Sequence, residues 1–173
     1  MKVILYRTSS FSDKLFTKII QRLRQSTKMV VDVWENSRSF NDLDPRDRVN
    51  VDMLRGVIKE TFRNDDEDYK VVYTGQDIYS PGLNHVFGKA YAGERVCIIS
   101  SRRLQDVRDM DRTAERLMKV TLHEVGHLLG LAHCEDPCCV MYRSNDAAGV
   151  DGRALSLCEK CAQNTGFSDI HVE

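Results

Sequence analysis

No stretch of this 173-residue chain approaches the roughly 20 apolar residues needed to span a bilayer. The short apolar run after Met1 and Lys2 is too brief for a signal-peptide core and reads as a first strand. No internal repeat, low-complexity tract, Pro/Gly-rich linker or propeptide is evident. Charge of one sign is also missing. With 25 basic and 26 acidic side chains the formal net charge is −1, so no global field attracts nucleic acid or an anionic membrane. Arg102 and Arg103 are adjacent but read as a solvated surface pair. These absences lead to the expectation of a soluble, cytoplasmic, monomeric protein with no nucleic-acid or membrane partner.

Hydrophobic residues make up 42% of the chain and charged residues 29%, and the length suits one domain with a sizeable core. Residues 1–173 are therefore read as a single domain. A sheet-and-helix part spans 1–133, and a shorter segment follows over 134–173. Strands are predicted at 2–7, 28–34, 69–74, 86–92 and 95–100, with Gly93-Glu94 as a tight hairpin turn between the last two. The spacing of Phe11, Leu15, Phe16, Ile19, Ile20 and Leu23 predicts a helix over 10–25. A second helix is predicted over 51–63, capped by Asn50, with Val51, Leu54, Val57, Ile58 and Phe62 inward. Residues 36–48 and 76–85 read as loops. A long helix over 110–130, capped by Asp109 or Asp111, stops at Gly130. The order implies an α/β (α+β) domain: a twisted, mixed, five-stranded sheet, two helices on one face, and a further helix that carries the chemistry.

That chemistry lies in His123-Glu124-Val125-Gly126-His127-Leu128-Leu129-Gly130-Leu131-Ala132-His133. His123 and His127 are four positions apart, so on a helix both imidazoles lie on one face and can share an ion. Glu124 is rotated by about 100° from His123 and can stand beside that ion without binding it. A base in that place can take a proton from zinc-bound water. Gly130 can adopt positive φ, end the helix and bring His133 back as a third ligand. Three imidazoles and a water make the open tetrahedral site of catalytic zinc. Five specified positions coincide by chance in a chain this long with a probability of roughly one in ten thousand or less.

Five of the six cysteines fall between 134 and 161, which points to metal rather than to scattered thiols. Cys158-Glu159-Lys160-Cys161 is a C-x-x-C knuckle, and Cys134 with Cys139 can complete a closed four-cysteine site for a second, structural zinc. Cys138 competes with Cys139 for that role. Disulfides fit a reducing compartment badly. Cys97 reads as a small buried hydrophobe.

The extended histidine pattern resembles that of the metzincin metallopeptidases, and the resemblance implies that Met141 is the Met-turn methionine beneath the metal. With the cysteine quartet, residues 123–161 resemble the archaemetzincin family. Tyr79-Ser80-Pro81-Gly82-Leu83-Asn84 and the strand–helix order are similar too. One departure is a loop between Met141 and Cys158 that is one residue shorter than the family pattern. The resemblance implies a zinc peptidase with one catalytic and one structural zinc, acting on a peptide or protein substrate.

Segment 86–92 is the candidate edge strand for an extended peptide, with Gly88 and Ala90 as the substrate-facing small residues; an ordinary hairpin is the alternative. Tyr142 and His85 are candidates for supporting roles, against packing and surface positions. His171 in the polar tail reads as exposed. Two other functions share these motifs: hydrolysis of a non-peptide amide, and a zinc-stabilised binding module with a vestigial site. Intact Glu124 argues against the second.

Overall fold

The computed structural model describes residues 1–33, 48–61 and 67–165. Residues 36–47 of the expected loop, Phe62 and His171 lie outside them.

Strand β1 (Lys2–Arg7) leads into α1 (Asp13–Ser26), whose N-cap Ser12 accepts the Leu15 amide, and the chain returns as β2 (Val30–Val33). After β3 (Arg48–Asn50), α2 (Val51–Thr61) begins where Asn50 Oδ1 accepts the Asp52 amide at 2.9 Å. Then come β4 (Tyr69–Thr74), β5 (Asp77–Tyr79), β6 (Gly88–Tyr91), β7 (Val96–Ser100) and α3 (Met110–Leu128). Two short helices follow, α4 (Ala147–Gly152) and α5 (Glu159–Thr165). Among the described residues, no helix is long and apolar enough to cross a membrane.

Five strands form the mixed sheet in the order β2-β1-β4-β7-β6, parallel throughout except for β6. The expected loop over 76–85 contains a strand: β5 pairs with β3 in a separate two-stranded ribbon. The expected two-residue turn is instead a single helical turn, Ala92–Glu94, after which Arg95 takes a left-handed φ of 52°.

The two surface helices do not share a face. Leu5, Val71, Tyr73, Cys97 and Ile99 pack in one cluster with residues of α1 and α3. Ile4, Tyr6, Val72 and Ile98 pack on the other face with Leu54 and Ile58 of α2. Handedness explains the split. The β1-to-β2 crossover moves one way across the sheet and the β2-to-β4 crossover moves back, so two right-handed connections must use opposite faces. Full burial of Leu54 or Ile58 contributes roughly 1.5–3 kcal/mol each. Val57, expected inward, is 38% exposed.

Helix α3 is the central element and is buried along most of its length. Asp109 caps it by accepting the Arg112 amide, while Asp111 pairs outward with Lys18 and Arg22. Its interior polar groups are paired, as burial demands. Arg116 makes a two-pronged bond to Asp151 and another to Leu104 O, and Thr121 Oγ1 meets the Tyr73 hydroxyl at 2.8 Å. Val140, Met141, Val150 and Leu157 join the same apolar cluster.

Candidate metal centre and cleft

The end of α3 is a Schellman turn. Gly130 has φ of 88°, its amide donates to His127 O at 3.0 Å, and the Leu131 amide donates to Gly126 O at 3.0 Å. The chain doubles back there and carries His133 to the other two histidines. One ligand atom from each of His123, His127 and His133 lies within 4.8 Å of the others.

The ring tautomers follow from their partners. His123 Nδ1 faces Val140 O at 2.8 Å and His127 Nδ1 faces Leu131 O at 2.7 Å. A carbonyl only accepts, so both Nδ1 atoms carry the proton and both Nε2 atoms present lone pairs. Those two Nε2 atoms stand 3.1 Å apart. Two lone pairs so placed repel unless a cation lies between them. Tetrahedral zinc with Zn–N of about 2.0–2.1 Å needs nitrogens roughly 3.4 Å apart, so the donor set fits zinc. Burial pushes the His123 pKa down to about 3, with the neighbouring His127, Arg153 and His133 acting in the same direction and the Val140 carbonyl opposing it. Burial lowers that of His133 too.

Glu124 is buried beneath β6. Burial pushes its carboxyl up to about 8, while Arg153 and a backbone hydrogen bond from Ala90 pull the other way. β6 is the sheet edge, and its pairing with β7 places the Phe87 carbonyl on the Ser100 amide at 2.8 Å. Strand alternation then directs the backbone groups of Gly88 and Ala90 away from β7, toward the open edge. Lys89 and Tyr91 project to the other face, where both bond Asp52.

Met141 packs under α3: a β-carbon on Gly126 would stand 2.4 Å from its sulfur. The Cys134 amide donates to Met141 O at 3.0 Å, fastening the residue after His133 to the Met141 segment.

The sulfurs of Cys134, Cys139, Cys158 and Cys161 form a second cluster, all within 4.8 Å of one another. Cys134 and Cys158 sulfurs are 3.7 Å apart, against the roughly 3.8 Å that a Zn–S length of about 2.3 Å sets for a tetrahedron. This set also fits zinc. Cys139 is buried in the cluster, whereas Cys138 is exposed and outside it.

A cleft of about 620 Å³ opens over the histidines, bordered by Gly88, Ala90, Glu124 and Arg153. His85 borders it as well and ties the loop before β6 to the segment after Met141 through Asn145 O, at 3.0 Å. Tyr142 is not in the cleft wall. Its carbonyl and that of Val140 each accept from Arg153 Nη1 at 3.0 Å. Sequence reasoning passed over Arg153, which carries no motif signature.

An edge strand above a helix bearing H-E-x-x-H, a glycine-ended turn delivering a third histidine, and a methionine below define the metallopeptidase class of folds. The chain belongs to peptidase family M54, whose sequence profile matches residues 28–165. It is 38% identical to an archaemetzincin of Methanopyrus kandleri over 116 residues, 67% of this chain and 62% of that protein. With an archaemetzincin of Archaeoglobus fulgidus the identity is 44% over 94 residues, 54% of this chain and 58% of the relative. With one of Pyrobaculum aerophilum it is 38% over 119 residues, 66% and 74%. The chain thus spans less than two thirds of the length of the first two. Its structure is similar to that of a zinc-dependent peptidase from Methanocorpusculum labreanum, with a TM-score of 0.76, 26% identity, and 93% of this chain and 98% of the other covered. The malonate-complexed archaemetzincin of Archaeoglobus fulgidus also gives a TM-score of 0.76, with 29% identity and coverage of 94% and 99%.

Proposed function

We propose that this chain is a zinc-dependent peptidase in which His123, His127 and His133 hold the catalytic metal and Glu124 is the general base. The observation that carries the reading is the 3.1 Å approach of two lone-pair nitrogens, with His133 closing the set. Bound there, zinc supplies a Lewis acid for the scissile carbonyl and acidifies water. Glu124 takes the proton of the attacking water and passes it to the departing amine. Backbone groups of Gly88 and the carbonyl of Ala90, whose N–H is held by Glu124, pair with an extended peptide along the edge of β6. Their alternation with Lys89 and Tyr91 leaves the cleft side small, which favours a peptide over a compact amide.

Cys134, Cys139, Cys158 and Cys161 hold the second, structural zinc, giving two per chain. Four thiolates leave no open coordination position, so this centre holds the C-terminal segment in place rather than reacting. Met141 supports the ring cluster from below. Both clusters are complete within one chain and share one apolar core, which supports a monomeric single domain over 1–173.

The test is Glu124→Gln. Assayed against a peptide library alongside metal analysis, it should retain zinc and lose turnover. Undiminished hydrolysis by that variant would remove Glu124 from the chemistry.

A further inference from the structure

Arg153 is only 4% exposed, yet it borders the cleft. Its Nη1 donates to the Val140 and Tyr142 carbonyls. Its Nε is buried without a hydrogen-bond partner. Arg116, 9% exposed, makes the instructive contrast, because Asp151 grips it from two sides. Among the described residues no carboxylate bonds Arg153; Glu124 favours its charge only through space. A guanidinium taken out of water with its fork unmatched is held at a cost unless a carboxylate arrives from elsewhere.

The rest of the cleft points the same way. Its charged side chains are Arg143 and Arg153 against Glu124; Lys89 also borders it, but its side chain turns to the other face. Lys89 is neutralised by Asp52, whereas Arg143 is exposed. An anion entering would meet Arg143 first and Arg153 inside. Arg153 packs against His123 on its Nδ1 side, with Nη1 3.1 Å from that atom, so the guanidinium lies one imidazole away from the histidine cluster.

We propose that the cleft contains a carboxylate-binding subsite, with Arg153 as its buried receptor and Arg143 as its outer charge. It selects peptides that place a carboxylate in the cleft. This deepens the peptidase reading and rests on it. The carboxylate can be the C-terminus of the peptide or an Asp or Glu side chain, since both present the same fork to arginine.

The experiment uses zinc-loaded Glu124→Gln protein and matched peptides, measured by calorimetry. One pair differs only in a C-terminal acid or amide, and a second series in Glu or Gln at each position. The carboxylate member should bind about tenfold more tightly or better in one of the two arms, and the responding arm identifies the source. Adding Arg153→Gln should bring the ratio toward one. Arg153→Lys, which keeps charge without the planar fork, should fall between. Equal affinity for acid and neutral partners, or a ratio that survives Arg153→Gln, overturns the subsite. Should Arg153→Gln fail to fold, as judged by zinc content and circular dichroism, the acid-to-neutral ratio and the lysine variant decide. The two readings fail differently. Acid-selective binding without turnover by the wild-type protein sinks only the peptidase assignment. Turnover indifferent to peptide charge sinks only the subsite.

Discussion

Gly88 and Glu124 are in direct contact: a β-carbon on Gly88 would stand 2.7 Å from Glu124 Cγ and 2.9 Å from Oε1. The edge strand can close over the Glu124 carboxyl only because this residue has no side chain. Gly88→Ala must push the carboxylate aside. Displacement of a reacting group by about an ångström lowers kcat by roughly 10- to 100-fold. Steady-state assays should find that drop with zinc content unchanged.

Gly130→Ala isolates the backbone contribution to the turn. An added β-carbon would meet nothing within 4 Å, so the effect comes from φ of 88° alone. Alanine in that conformation costs about 1–2 kcal/mol. Thermal melting should shift downward, and zinc titration should reveal weaker binding at the histidines, because His133 depends on the reversal.

The two neighbouring thiols should separate cleanly. Cys139→Ser should remove one zinc equivalent and destabilise the fold, since Cys139 is buried among the sulfurs. Cys138→Ser should leave zinc content and melting temperature as they were. Metal analysis on the two purified variants decides it, and loss of zinc from Cys138→Ser would contradict the arrangement.

Asp151 supplies a pH dependence. The guanidinium of Arg116, helped by Arg112 and opposed by burial, holds its carboxyl down to about 2. An unfolded aspartate titrates near 3.9. The folded state therefore binds fewer protons between those values. The resulting stabilisation is complete above about pH 5 and disappears as the pH falls through about 4 toward 2. Asp151→Asn should lose ~1 kcal/mol at pH 7, discounted for solvent screening. Urea unfolding of both proteins should find the gap closing on acidification; a constant gap would refute the ion pair's role.

Local rules made the two candidate metal clusters readable. Helical spacing sets His123 beside His127, and a glycine at the predicted stop sets up His133. Cys139 could be separated from Cys138 only by knowing which sulfur faces inward. The five main strands were visible as apolar runs, but β5 was hidden because a three-residue strand in a two-stranded ribbon has no pattern of its own. The face occupied by α2 was missed because it follows from the direction of a crossover, not from any residue in the helix. Val57 looked inward by period, yet its side of the helix faces solvent. Arg153 left no trace, since its meaning lies in contacts with Val140, Tyr142 and His123, the last of them thirty positions away.

The five-stranded sheet stands as a bulkhead between two compartments of the protein. The three imidazoles, the thiols and the cleft are built on the α1/α3 side, while α2 rests on the opposite wall with an oil-filled seam of its own. Sequence drift in that rear compartment should change how firmly the chain folds and leave turnover alone. The exception is the trio Asp52, Lys89 and Tyr91, through which the rear wall grips the strand lying over Glu124.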